Sequence, residues 1–172
     1  YVKNKTTHHF IDSSITSSDA AIKAFIEMMI PHHQEAVRTS EQVLADKSIE
    51  NFDLRIIAGR IVDAQTFEII QMISWYEDWF KMEYDTTGMS HTHHYMPMIN
   101  TASATGAVLE KNYVKGMIKH HKMAIEMARE LIAAFDKYEG SKTIGDGDLV
   151  IHESHPNIDT IRQFAQKIID VQ

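Results

Sequence analysis

A phrase of twenty residues occurs twice in this chain, and that repeat constrains the fold more than any other feature. Residues 25–44 read FIEMMIPHHQEAVRTSEQVL and residues 113–132 read YVKGMIKHHKMAIEMARELI. Met29, Ile30, His32, His33 and Ala36 return as Met117, Ile118, His120, His121 and Ala124, 88 positions on. A second echo follows each copy: IVDAQ at 61–65 returns as IIDVQ at 168–172, 107 positions on, so the second half holds 19 more residues between its two parts. Each half reads as a helix–loop–helix unit. One hairpin cannot bury its apolar face alone, so two such units are expected to make a bundle.

The spacing inside the repeats is helical. A first helix is expected over about 19–46, behind a capping box at Thr16 and Asp19; Ile22, Ile26, Met29, His33, Ala36, Ser40 and Val43 mark its seam at threes and fours. Pro31 lies inside it and predicts a kink near 27–31, because proline removes one intrahelical hydrogen bond. A second helix is expected over about 50–84, with Ile57, Ile61, Ala64, Glu68, Met72, Trp75 and Trp79 on its seam. A third spans about 107–138, with Val114, Met117, His121, Ala124, Ala128, Leu131 and Phe135. A fourth begins near Asn157 and carries Ile158, Ile161, Ala165 and Ile168. Residues 85–106 lose the period and read as a long crossover, and 139–156 read as a polar loop. The expected fold is all-α: a single ferritin-like four-helix bundle over 1–172, built from two helix-hairpin repeats, about 19–84 and about 107–172. A short crossover would place the first and third helices parallel. A long one lets the second hairpin pack inverted, so that the two His-His phrases approach each other across a pseudo-twofold axis.

Composition narrows the chemistry. The net charge of −7 across 172 residues argues against nucleic acid, since phosphate recognition needs a basic face. The chain has no cysteine, which excludes disulfides and thiolate ligands, yet it has ten Met and eleven His. Methionine ordinarily fills gaps in helical cores. No apolar run reaches the roughly 18 residues of a membrane span. The sequence opens at Tyr1 without an initiator Met, as is expected where a signal peptide, anchor or tag has been removed or left out. Familiar catalytic phrases are missing. There is no Glu-x-x-His of a di-iron bundle, no His-Glu-x-x-His, no Gly-x-Ser-x-Gly and no phosphate-binding glycine pattern. The chain is therefore not expected to be an enzyme.

Three groups of residues point to metal. Met29 and Met117 each precede a histidine, His33 and His121, by four residues, one helical turn, so thioether and imidazole sit side by side. Met28 and His32 have the same spacing, and His120, Met123 and Met127 continue such a stripe at threes and fours. A single Met–His pair would read as core packing; the same phrase twice on seam faces reads as ligation. The second group is the tract GMSHTHHYMPM at 88–98, with Met82 just before it. Met89, His91, His93, His94, Met96 and Met98 have no helical face to fill there, and a Met/His tract without Cys favours copper or silver over zinc. The third is Glu68 with Met72, four apart on a seam. A buried carboxylate needs a partner, and Glu68 either completes a site with the first His pair or orients one of its imidazoles. His8, His9, His152 and His155 read as surface residues.

The phrases MMIPHHQEAV, IIAGRIVDAQTFEIIQMISWYEDW and MIKHHKMAIEMA resemble the ferritin-like family described as domain of unknown function 305, over 21–79 and 113–172. Members of that family with an assigned role are extracytoplasmic copper-binding or copper-resistance proteins of bacteria, copper metallochaperones among them. Carried over position by position, the resemblance points to His32, His33, His120, His121, Met127 and the Glu68/Met72 pair. Two departures stand out. Thr39 occupies the place of Met127 in the first copy, and the second Gln motif stops at Gln172, so any counterpart of Glu68 and Met72 is missing from this chain. Together these readings lead to one expectation: a periplasmic or secreted copper-binding protein that sequesters copper or transfers it to a copper-exporting or copper-accepting protein. Cu(I) is favoured, Cu(II) is also accommodated, and Ag(I) serves as a surrogate. A cysteine-free chain fits an oxidising compartment. The alternatives are a di-metal oxidoreductase of the same fold and a Met-rich module that binds a partner helix.

Overall fold

A computed structural model of the chain describes residues 10, 11, 15, 17–85, 101, 104–140 and 157–172, with backbone alone at 138–140. Four helices follow one another: α1 (Ser18–Ala45), α2 (Phe52–Phe80), α3 (Gly106–Gly140) and α4 (Ile158–Val171), with no strand among the described residues. The expected class, an all-α four-helix bundle, is the one found. No described helix is long and apolar enough to cross a membrane.

The helix ends follow local chemistry. Thr16 lies outside the described residues; the side chain that caps α1 is that of Ser17, whose Oγ accepts from the Ala20 amide at 3.2 Å. The α1 helix runs on through Pro31. Asn51 caps α2 by accepting from the Leu54 amide at 3.1 Å. At its other end α2 stops four residues short of the expected 84. Lys81 turns left-handed there (φ 55°) and its amide closes the last turn on the Glu77 carbonyl at 3.0 Å. Nothing in the hydrophobic period marks that stop.

Two compact units divide the residues, one of Tyr1–Phe25 with Ile125–Gln172 and one of Ile26–Ala124. In the first, Ile22, Phe25, Leu131, Phe135, Ile161 and Ile168 are fully buried, and the expected α4 seam is the observed one. The amides of Phe10 and Ile11 both donate to Glu130 Oε2, at 2.7 and 2.9 Å. Arg162 pairs with Asp136 at 2.9 Å and lies over the Phe135 ring.

In the second unit α1, α2 and α3 share a core of Ala36, Val43, Ile49, Leu54, Ala58, Leu109, Tyr113 and Met117. Three contacts set the direction of α3 against α1. His120 bonds to His32, Tyr113 to Ser40 (2.8 Å), and the Gly106 amide to Asp46 Oδ2 (2.8 Å). As one helix advances the other retreats, so they are antiparallel, and the two His-His phrases meet as the inverted packing requires. Asp46 is a hub, since its Oδ1 also accepts from the Ser48 amide and hydroxyl; these bonds hold its carboxyl below the usual range. Gly106 sits at φ +54°, and a Cβ there would come within 3.3 Å of Ser48 Oγ. Glycine meets both demands.

No basic residue lies in the last turn of α1. Arg55 reaches over from α2 and donates to the carbonyls of Val43, Leu44 and Asp46, at 3.4, 2.8 and 3.2 Å. A cation placed there answers both the open carbonyls and the negative end of the helix dipole. Arg55→Ala is expected to cost about 1–3 kcal/mol, read as a lower urea midpoint with an unchanged slope.

The α2 seam is rotated from the expected one. Leu54, Ala58, Gln65, Glu68, Met72 and Tyr76 are its buried residues, whereas Ile57 is 51% exposed and Ala64 is exposed. This helix is apolar nearly all round, so its period does not fix its phase. On α3 the seam likewise uses Tyr113 and His120 in place of Val114 and His121.

Candidate metal centre

Two helical turns bring four imidazoles together in the second unit. His32 and His33 come from α1, and His120 and His121 from the antiparallel α3. The rings of His32 and His120 stack with centroids 3.5 Å apart and planes 31° from parallel. His33 lies 6.1 Å from His32 and His121 lies 6.0 Å from His120, centroid to centroid. His33 and His120 are fully buried, while His32 and His121 are partly so. The sequence repeat equates His33 with His121, so the pseudo-symmetry of the backbone does not extend to which histidine faces inward.

The hydrogen bonds fix the tautomers. His120 Nε2 lies 2.7 Å from the His32 carbonyl oxygen. A carbonyl only accepts, so Nε2 carries the proton and the lone pair of the neutral ring is on Nδ1. His121 Nδ1 donates to the Met117 carbonyl at 2.9 Å, which leaves its lone pair on Nε2. His33 Nε2 is 3.0 Å from Glu68 Oε2 and donates to that carboxylate. Three of the rings, those of His32, His120 and His121, are held neutral. Burial, then the neighbouring His120 and His33, keeps His32 well below its usual range. Burial pushes His120 down to about 3 and lowers His121 as well.

Several polar atoms in this cluster are buried without a hydrogen-bond partner: both ring nitrogens of His32, Nδ1 of His33 and Nδ1 of His120. Each such atom costs about 1–3 kcal/mol if nothing binds it. A neutral imidazole nitrogen without a hydrogen-bond partner keeps a lone pair that a metal ion can accept. Among the described residues no three His, Asp or Glu side chains are grouped to hold one ion. One or two imidazoles are enough donors for a soft ion of low coordination number.

The methionines divide. Met29, Met72 and Met117 are buried, Met28 and Met123 partly buried. Met28 precedes His32 by one turn and Met123 follows His120 by three residues on α3. Met117 packs in the apolar core, and what it offers His121 is its backbone carbonyl. Met127 is buried in the other unit. Met82 lies beyond the end of α2 and is exposed. Met89, His91, His93, His94, Met96 and Met98 fall outside the described residues, as do His8, His9, His152 and His155.

Gln65, one turn before Glu68 and expected with it beside the first His pair, is buried with an unpartnered Oε1, and Gln172, which ends the second echo, also has a buried, unpartnered Oε1. Glu35 escaped the sequence reading as part of a buried face. It is buried on α1 and bound by two Arg38 nitrogens at 2.8 and 2.9 Å, an ion pair three residues apart.

Comparison with known proteins adds to this geometry. The family described as "Domain of unknown function (DUF305)" matches residues 23–146. Among solved structures, "CopM in the Cu(II)-bound form" is 30% identical, with 87% of this chain and 90% of that chain covered and a TM-score of 0.56. "CopM in the Cu(I)-bound form" is 28% identical over 87% and 90%, TM-score 0.55. "CopM in the Ag-bound form (by co-crystallization)" is 27% identical over 87% and 85%, TM-score 0.57. These are states of one protein and count as one relative. No curated protein sequence matches the chain at a significant level.

Proposed function

The chain belongs to the family described as Domain of unknown function (DUF305), and from that footing we propose that it binds copper as cargo, sequestering it outside the cytoplasm or passing it to a copper-exporting or copper-accepting protein. The observation that carries this reading is the α1–α3 cluster, in which imidazole nitrogens of His32, His33 and His120 are buried and unpartnered. The likeness to a protein solved with Cu(I), Cu(II) and silver supports the choice of metal. So does the donor chemistry: thioethers beside imidazoles and no thiolate favour Cu(I) and Ag(I) over Zn(II). The protein acts by holding and releasing an ion rather than by turning over a substrate. Few ligands hold the ion, so an acceptor can attack before all of them have let go. The Met/His tract at 88–98 is a second, separate binding stretch in this reading.

Anaerobic titration of the full chain with Cu(I), Ag(I) and Zn(II) against chromophoric competitors tests it. Cu(I) and Ag(I) should both bind more tightly than Zn(II). A zinc affinity equal to or above that for Cu(I) removes the copper assignment.

Glu68 acts through His33. Its carboxylate fixes the Nε2–H tautomer and makes Nδ1 the more basic donor. Glu68→Gln is expected to lower the Cu(I) affinity of the helical site by about 10–100-fold, read in the same titration. An unchanged affinity, with only the thermal midpoint shifted, means that the pair serves packing alone.

A further inference from the structure

We propose that the outer face of α2 is a self-association surface, through which two copies of this chain pair across a twofold axis passing between Ile61 and Val62, with their α2 helices antiparallel. The buried residues of α2 occupy one side of the helix. On the opposite side Phe52, Ile56, Phe67 and Ile70 are 72, 38, 63 and 62% exposed. At 3.6 residues per turn these four fall within one narrow stripe, and Asp63 lies in the middle of it. Single exposed apolar residues are ordinary, but four aligned on one side of a helix, two at each end of a charged centre and facing away from the core, mark an interaction site.

The pattern of the stripe says what covers it. Read from either end it is nearly the same: Phe52 and Ile70 are the outer pair, Ile56 and Phe67 the next, Arg60 and Asp63 the innermost. An antiparallel contact between two copies therefore sets Phe52 against Ile70 of the partner subunit, Ile56 against Phe67 of the partner subunit, and Arg60 against Asp63 of the partner subunit, each contact occurring twice. This is the self-complementarity that a twofold interface demands. Arg60 and Asp63 are both exposed and make no hydrogen bond or ion pair among the described residues. Parallel pairing would oppose Arg60 to Arg60 and Asp63 to Asp63, so charge selects the antiparallel arrangement. Gly59 borders the stripe, and a Cβ added there would meet nothing within 4 Å, so the backbone of a second helix can approach closely. A contact through one helix is small for a protein interface, and the dimer it makes is weak and concentration-dependent.

Sedimentation equilibrium of the full chain tests the proposal, with EDTA and a Cu(I) chelator present so that no ion bridges two copies. Between about 1 and 100 µM the average mass should rise from monomer towards dimer. Arg60→Asp alone, or Asp63→Arg alone, opposes like charges across the axis and should shift that rise at least tenfold in concentration. The double variant Arg60→Asp/Asp63→Arg restores opposite charges and should restore the dimer. All these positions are exposed, and circular dichroism checks that helix content is kept. In a chain with no cysteine, Ser74→Cys gives a single spin-label site, and antiparallel pairing sets the two labels about 40 Å apart along the helices. A monomer at every concentration, a dimer that the double variant fails to restore, or labels closer than about 20 Å overturns the proposal. So does adsorption of the stripe to lipid vesicles in place of self-association.

Discussion

His120→Ala is expected to weaken Cu(I) binding at the helical site by about a hundredfold or more, because it deletes one of the two or three donors that a low-coordinate ion has. Nε2 of His120 is committed to the His32 carbonyl, and Nδ1 is buried without a hydrogen-bond partner. A residue needed only for packing would not leave that nitrogen orphaned. Alanine also opens a small void and frees the His32 carbonyl, so some loss of stability accompanies it. His120→Gln separates the two effects. Its amide still donates to the carbonyl, but it gives a soft cation no imidazole. Both variants should lose the ion, with His120→Gln keeping more of the thermal midpoint. Full Cu(I) affinity in both, with only stability reduced, identifies His120 as a satisfied core histidine.

The second large effect is on the metal-free protein in mild acid. In the unfolded chain each imidazole takes its proton near pH 6.5. In the fold His120 is pushed down to about 3, and His32 is lowered well below its ordinary value. Between those limits the unfolded state binds more protons than the native state, so stability falls as pH falls. The contribution of these rings is complete above pH 6.5, starts to be lost below it, and for His120 is gone once the pH is under about 3. One proton of difference gives a slope of about 1.4 kcal/mol per pH unit. From His120 alone, unfolding in urea should show a loss of roughly 2–3 kcal/mol between pH 7 and 4.5, a sizeable share of the stability of a typical domain, and His32 adds to the loss in the same direction. His120→Gln should flatten that slope. A urea midpoint unchanged between pH 7 and 5 would mean that the fold carries these rings protonated, contrary to their burial.

The repeat was legible because it is written in identical residues at a fixed offset, and it led to the helix count, to the inverted pairing of α1 with α3, and to the meeting of the two His-His phrases. The α1 seam from Ile22 to Val43 was legible because its outer face is polar. The phase of α2 was not, since Ile57 and Phe67 are as apolar as Leu54 and Met72, and tertiary packing made the choice. The two histidines in each phrase are adjacent, so spacing could not say which turns inward; His33 is held by Glu68 and His120 by the His32 carbonyl. Glu68 was singled out by the cost of a carboxylate on a seam, and the structure sets it against His33. Glu35 was missed because Arg38 satisfies it from the same helix, so nothing in the pattern of seams marks it as buried.

The centre of this account is that the α1–α3 imidazoles are themselves the copper donors. Cu(I) is diamagnetic, so the histidine side chains can be observed directly in a long-range proton–nitrogen correlation spectrum recorded during anaerobic titration. Before metal is added, His120 should carry its proton on Nε2 and His121 should carry its proton on Nδ1. With the first equivalents of Cu(I), the Nδ1 resonances of His33 and His120 should move while their Nε2–H partners stay bonded. Resonances of these four rings that remain in place while Cu(I) is taken up tightly would put the metal elsewhere on the chain and contradict the account.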